Sequence, residues 1–245
     1  MNVFERLVDL EYAYVELVIG EQGVIPPSQI VALHDGVVQL RRTSRRITPI
    51  SIFFDVEPVH PPDQVNSNCT KYVEHIEQFT HACQLAKDCK IAVVSVHAAV
   101  PGTPFNEEIK RLQNLVKIGT YHGVVIGVAT EAGRIVEAPG TIGSLCKHVE
   151  GLGVTLDPSH YIYNFPKPIE YDSILPHVCH VRLRDTTQKQ FQTRIGQGVT
   201  EFGRLVERLN NVGYRKALCV DIAPLPNVDQ FAELRKMRLL LETLL

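Results

Sequence analysis

Glu131, Asp157 and Asp221 each close a short apolar run, in VVIGVATE, GVTLD and ALCVD. Carboxylates gathered in one place repel one another, and their pKa values rise unless a cation lies between them. A divalent metal held by oxygen and imidazole donors could be that cation. The structural alternative is that each acid caps the helix after its strand, as Asp157 could before Pro158 and Ser159. His97 closes VVSVH, and His160 follows Asp157 by three residues. Either imidazole could bind a metal, hold a substrate hydroxyl or relay a proton. His180 and Arg182 stand two apart in HVCHVRLRD, so on a strand they share a face. Arg182 would then place a permanent cation near the acids. There it could grip a carboxylate or phosphate, or neutralise the acids without any metal. Arg194 opens the segment RIGQG, whose glycines leave the backbone free to approach an anion. The remaining histidines, His75 and His122 among them, lie on helices or loops and are expected at the surface; His60 sits in a polar loop.

Such residues meet only if the chain gathers its strand ends. Seven apolar strand segments alternate with amphipathic helices, the signature of right-handed βαβ units. The strands lie near residues 12–19, 48–56, 90–98, 124–131, 153–157, 177–185 and 217–222. Their nearly continuous apolar character predicts cover on both faces. No G-x-G-x-x-G follows any strand, and polar strand ends recur along the whole chain rather than in one half. Both features favour a TIM-type (β/α) barrel over an open doubly wound sheet. One domain over residues 1–245 is expected. An eight-stranded barrel needs a strand ahead of the helix at residues 3–10, so seven strands are predicted, with either a gap in the barrel or a sequence shortened at its start. The gap exposes two sheet edges, which suits a homo-oligomer or cover by the terminal helix.

Composition narrows the function classes. A formal charge of -2 provides no broad cationic field, so no nucleic-acid partner is expected. No uncharged apolar run is long enough to span a bilayer, and the opening MNVFERLVDL lacks a signal peptide's layout. The six cysteines form no C-x-x-C pair, which suits reduced thiols and a cytoplasmic location. No G-x-x-x-x-G-K-[ST] or G-x-S-x-G motif occurs.

In this order, the motifs resemble the xylose isomerase-like TIM-barrel superfamily of sugar isomerases, epimerases and endonuclease IV-type enzymes. ERLVDLEYAYVEL looks like its first helix and second strand, and VATE like its glutamate-ligand strand. VTLDPSH looks like its aspartate-x-x-histidine motif, HVRLRD like its His-Leu-Lys-Asp strand, IGQG like its loop glycines, and GYRKALCVDI like its last strand. The resemblance implies a divalent metal (Mn, Mg, Co or Zn) on Glu131, Asp157, a histidine and a final carboxylate. Glu131, Asp221 and His160 would be the acid–base candidates, and His97, His160, Arg182 and Arg194 the substrate contacts. It also implies a small carbohydrate or sugar phosphate as substrate. Two positions depart from the pattern. Arg182 stands where the metal-binding histidine belongs, leaving His180 as the nearest imidazole, and Asp221 replaces the final glutamate. A weakened metal site, a metal-free site using Arg182, and a non-catalytic polyol-binding or assembly protein all follow from these departures. An abasic-DNA endonuclease is disfavoured because Gln190 and Gln192 stand where it needs further metal ligands.

Overall fold

The structure is a computed structural model that describes residues 3–43, 47–61 and 68–245. Seven parallel strands follow chain order around one sheet: β1 (Tyr14–Gly20), β2 (Thr48–Asp55), β3 (Val93–Val96), β4 (Val125–Ala129), β5 (Gly153–Leu156), β6 (Val178–Leu183) and β7 (Leu218–Val220). Helices α1 (Val3–Asp9), α2 (Ile30–Thr43), α3 (Asn68–Cys89), α4 (Phe105–His122), α5 (Pro139–His148), α6 (Phe202–Asn211) and α7 (Gln230–Glu242) surround it. Two 3-10 segments, Pro158–Tyr161 and Asp172–His177, join β5 to β6 in place of a regular helix. The sheet curls almost into a barrel, and among the described residues no ladder joins β7 to β1.

That gap is where an eighth strand would lie. At its upper end Ile25 forms an isolated parallel bridge to Ile19: Gly20 N–H donates to the Ile25 carbonyl, and Ile25 N–H to that of Val18. One residue thus stands in for part of the missing strand and covers some of the β1 edge.

Alternate strand residues point outward into the layer under the helices. Ile19, Ile52, Phe54, Val94, Ile126, Val128, Val154, Leu156, Val181 and Leu183 are all nearly or fully buried there. The residues between them face inward, and apart from Phe53 those nearest the mouth are small or polar. Across the barrel, the Ser95 and Thr155 hydroxyls hydrogen-bond at 2.6 Å. A Cβ on Gly127 would lie 2.5 Å from Thr155 Oγ1 and 2.8 Å from Cys179 Sγ, so the interior has no room for a side chain there. Two irregularities set what lies near the barrel floor. The β1–β2 register skips Ile50 and places Glu16 opposite Ser51; the β5–β6 register skips Cys179 and places His180 opposite Thr155.

Candidate functional site

The strand ends converge as barrel geometry requires, but their charges are paired in an order the motifs did not reveal. Just past the end of β3, His97 bridges two acids: Nε2 lies 2.8 Å from Asp55 Oδ1, and Nδ1 lies 2.9 Å from Glu131. Burial alone would lower its pKa. The two carboxylates outweigh burial and raise it to about 9, so the ring is an imidazolium at neutral pH. Arg134 adds a longer contact to Glu131, at 3.8 Å, while holding Glu57 through two hydrogen bonds of 2.6 and 2.8 Å.

His97 is itself held from behind. Arg111, on α4, donates to the His97 carbonyl at 2.8 Å and makes two hydrogen bonds with Glu108, 2.7 and 2.8 Å long. Glu108 also accepts from Ala99 N–H and lies 3.1 Å from His60 Nε2. Both members of the pair are buried, and Arg111, only 2% exposed, is the largest buried side chain among the described residues. A buried ion pair of this kind is tolerated because further hydrogen bonds satisfy its remaining atoms. His60 thus packs on this brace; residues 62–67, expected from the sequence to belong to a polar loop, lie outside the described residues.

The other side of the mouth belongs to two arginines. Arg184 contacts Asp157 Oδ2 through Nε at 3.1 Å and through its terminal nitrogen at 3.0 Å, and it also hydrogen-bonds Asp221. Arg182 Nε lies 3.0 Å from Glu16, its terminal nitrogen lies 3.1 Å from Asp221, and its guanidinium sits 4.3 Å over the Phe53 ring. Asp157 also accepts from Ser159 N–H and Oγ, so it caps the following 3-10 segment and serves the mouth together. Burial would raise the Asp157 pKa; Arg184, with smaller help from His160 and Ser159, holds it below the usual carboxylate range. His160 accepts from Ala132 N–H through Nδ1, packs on Phe191, and has its pKa lowered mainly by burial, so its ring is neutral.

The expected residues therefore divide. Glu131, Asp157, Asp221, His97, His160 and Arg182 meet around the mouth. The side chain of His180 lies one layer lower, where Nε2 is 2.9 Å from Glu16 Oε1. Arg194 is exposed, 3.5 Å from the Asn227 carbonyl. The RIGQG backbone does approach an anion, but the anion is the chain's own. Asp185, buried, accepts from Thr186, Gly196 and Gly198 N–H at 2.8 to 3.0 Å. His75 and His122, expected at the surface, are buried. His75 packs edge-on against Phe54, and burial drops its pKa to about 4.

Three contributors were missed. Asp55 ends β2 under the same strand-end rule that singled out Glu131. Glu16 is a lone charge inside an apolar strand. Arg184 lies two residues beyond Arg182, on the same face. Glu16, His180 and Cys219 bring one ligand atom each within 4.8 Å of one another, which makes them a candidate divalent-metal cluster of unusual composition. The Asp157–Asp221 pair, by contrast, does not fit a divalent cation. Arg184 spans it, and Arg182 stands on the remaining side where an imidazole would be needed.

The xylose isomerase-like TIM barrel family model matches residues 4–240. The chain belongs to that family, within the sugar isomerase and epimerase superfamily. Solved structures share the xylose isomerase-like fold at low identity. The IOLI protein with a binding zinc atom has a TM-score of 0.76 at 15% identity, over 100% of this chain and 93% of its own. A D-tagatose 3-epimerase-like protein has 0.73 at 20% identity, over 98% and 92%. A xylose isomerase domain protein from Planctomyces limnophilus has 0.71 at 17% identity, over 99% and 91%. Among curated proteins, none matches the sequence significantly. Among the described residues, no helix is long and apolar enough to cross a membrane.

Proposed function

We propose that the barrel mouth binds a small sugar or sugar phosphate and moves a proton at the carbon beside its carbonyl, as in isomerisation or epimerisation. The observation that carries this reading is the split of charge across the mouth. Glu131 is held on one side by the His97 imidazolium, and two guanidinium groups stand on the other. Breaking the carbon–hydrogen bond leaves the proton on Glu131 and negative charge on the carbonyl oxygen. Arg184 and Arg182 supply fixed positive charge for that oxygen, the electrostatic service a bound metal would otherwise give. Asp221, reached from β7, is the second carboxylate available to return a proton to the other face. Neutral His160 is suited to a substrate hydroxyl.

A second reading has its own support. Arg184 already satisfies both Asp157 and Asp221, and Arg182 both Asp221 and Glu16, which is also what a non-catalytic polyol-binding relative would need to stay folded. Incubation with a panel of ketoses and ketose phosphates in D2O, followed by NMR, separates the two. Proton transfer puts deuterium on the carbon beside the carbonyl, and Glu131→Gln abolishes it. Ligand binding with no exchange in the wild type would overturn the enzymatic reading in favour of the binding protein.

A further inference from the structure

The gap between β1 and β7 opens into a lateral cavity of about 500 Å³. Leu7, Tyr12, Val18, Leu234 and Leu241 form much of its wall, while Glu16 and Cys219 also line it. Behind them lies His180. The three come from β1, β6 and β7, and the two register skips described above set Glu16 opposite Ser51 and His180 opposite Thr155. Glu16 and His180 are almost wholly buried, with side chains 5% and 4% exposed. Their facing atoms, Oε1 and Nε2, are 2.9 Å apart and pair with each other, and a ligand atom of each lies within 4.8 Å of the Cys219 sulfur. The Arg182 guanidinium lies nearest the other oxygen, Oε2, and leaves Oε1 facing the histidine.

We infer that Glu16, His180 and Cys219 form a zinc-type site in the barrel wall, separate from the mouth and reached through the strand gap. One carboxylate oxygen, one imidazole nitrogen and one sulfur suit Zn²⁺, whereas Mg²⁺ and Ca²⁺ prefer oxygen throughout. Three protein ligands leave a fourth position, and the cavity is where it would open. Binding exchanges the Cys219 S–H bond for an S–Zn bond and releases one proton to solvent, with no change of oxidation state. The site requires nothing of the proton-transfer reading, and its test does not use activity.

The test is a Co²⁺ titration of the full-length protein after chelator treatment, followed by Zn²⁺ displacement. One equivalent should bind and give a thiolate-to-cobalt charge-transfer band that Zn²⁺ removes. Cys219→Ser should lose the band. His180→Gln should weaken binding by more than the roughly 10–100-fold typical of losing an outer-shell partner. Glu131→Gln should bind as the wild type does, which separates this site from the mouth. Circular dichroism and melting curves establish that each variant is folded, and Glu16→Gln serves as a further ligand deletion should one of them fail. Absence of stoichiometric binding, or a cobalt spectrum without thiolate that Glu131→Gln abolishes, would overturn the assignment.

Discussion

Replacing Arg184 by Met keeps the length of the side chain and removes the charge that links Asp157 to Asp221. Asp157 is 5% exposed and Asp221 28%, so the first is left as an uncompensated buried charge and the second is partly relieved by water. Removing one member of a buried pair costs about 3–5 kcal/mol. At about 2–4 °C per kcal/mol for a chain of this size, melting should fall by roughly 10 °C at neutral pH. The pH dependence identifies the cause. Arg184 depresses the Asp157 pKa, so the stability it contributes is present above the unfolded value near about 4 and is lost as pH falls through the folded one. The gap between wild type and Arg184→Met should therefore be wide at about pH 7 and narrow towards about pH 4, as Asp157 in the variant takes up a proton. Mn²⁺ should restore part of the loss in the variant and stabilise it more than the wild type, because Asp157 is then free of its guanidinium partner. Scanning calorimetry at the two pH values, with and without Mn²⁺, reads all of this. A variant within about 1 kcal/mol of wild type at neutral pH, as for an exposed pair, would refute the reasoning, and so would a gap that widens in acid.

His97 predicts the opposite pH trend: its raised pKa contributes stability that is complete below about 6.5 and is lost as pH rises through about 9. The contribution is on the order of 3 kcal/mol, shared with Asp55 and Glu131 and counted once, and urea midpoints should show it in wild type but not in His97→Gln. Gly198→Ala would put a Cβ 1.9 Å from Asp185 Oδ1 and push that carboxylate off its backbone donors. A loss of about 1–3 kcal/mol and faster proteolysis between residues 186 and 198 should follow, measured by melting and limited trypsin digestion.

The fold was legible because strand segments covered on both faces are nearly continuous in apolar residues, and the helices between them are long enough to force parallel pairing. Even the seven-strand count could be read, from the number of such runs along the sequence. The part played by Ile25 could not, because a single-residue bridge leaves no periodicity behind it. At the mouth, the strand-end rule found Glu131, Asp157, Asp221 and His97 by type and place. What it could not supply was partnership. Arg182 and Arg184 alternate with Leu183 and face the same way, and only the register of β6 against β5 and β7 decides which one spans the acids. His180 illustrates the same limit. A skip of one residue opposite β5 sets its level in the barrel, and the structure puts it beside Glu16. The Glu108–Arg111 brace was hidden because an i, i+3 charge pair on a helix ordinarily marks a solvated face.

In the proposed reaction the guanidinium pair, rather than a metal at the acids, supplies the positive charge for proton transfer. The most direct measurement is solvent deuterium exchange into a ketose panel by the wild type, before and after exhaustive chelation, read by NMR. Exchange that survives chelation and disappears in Glu131→Gln is the predicted result. Exchange that chelation abolishes and Mn²⁺ restores, or no exchange under either condition, would contradict it.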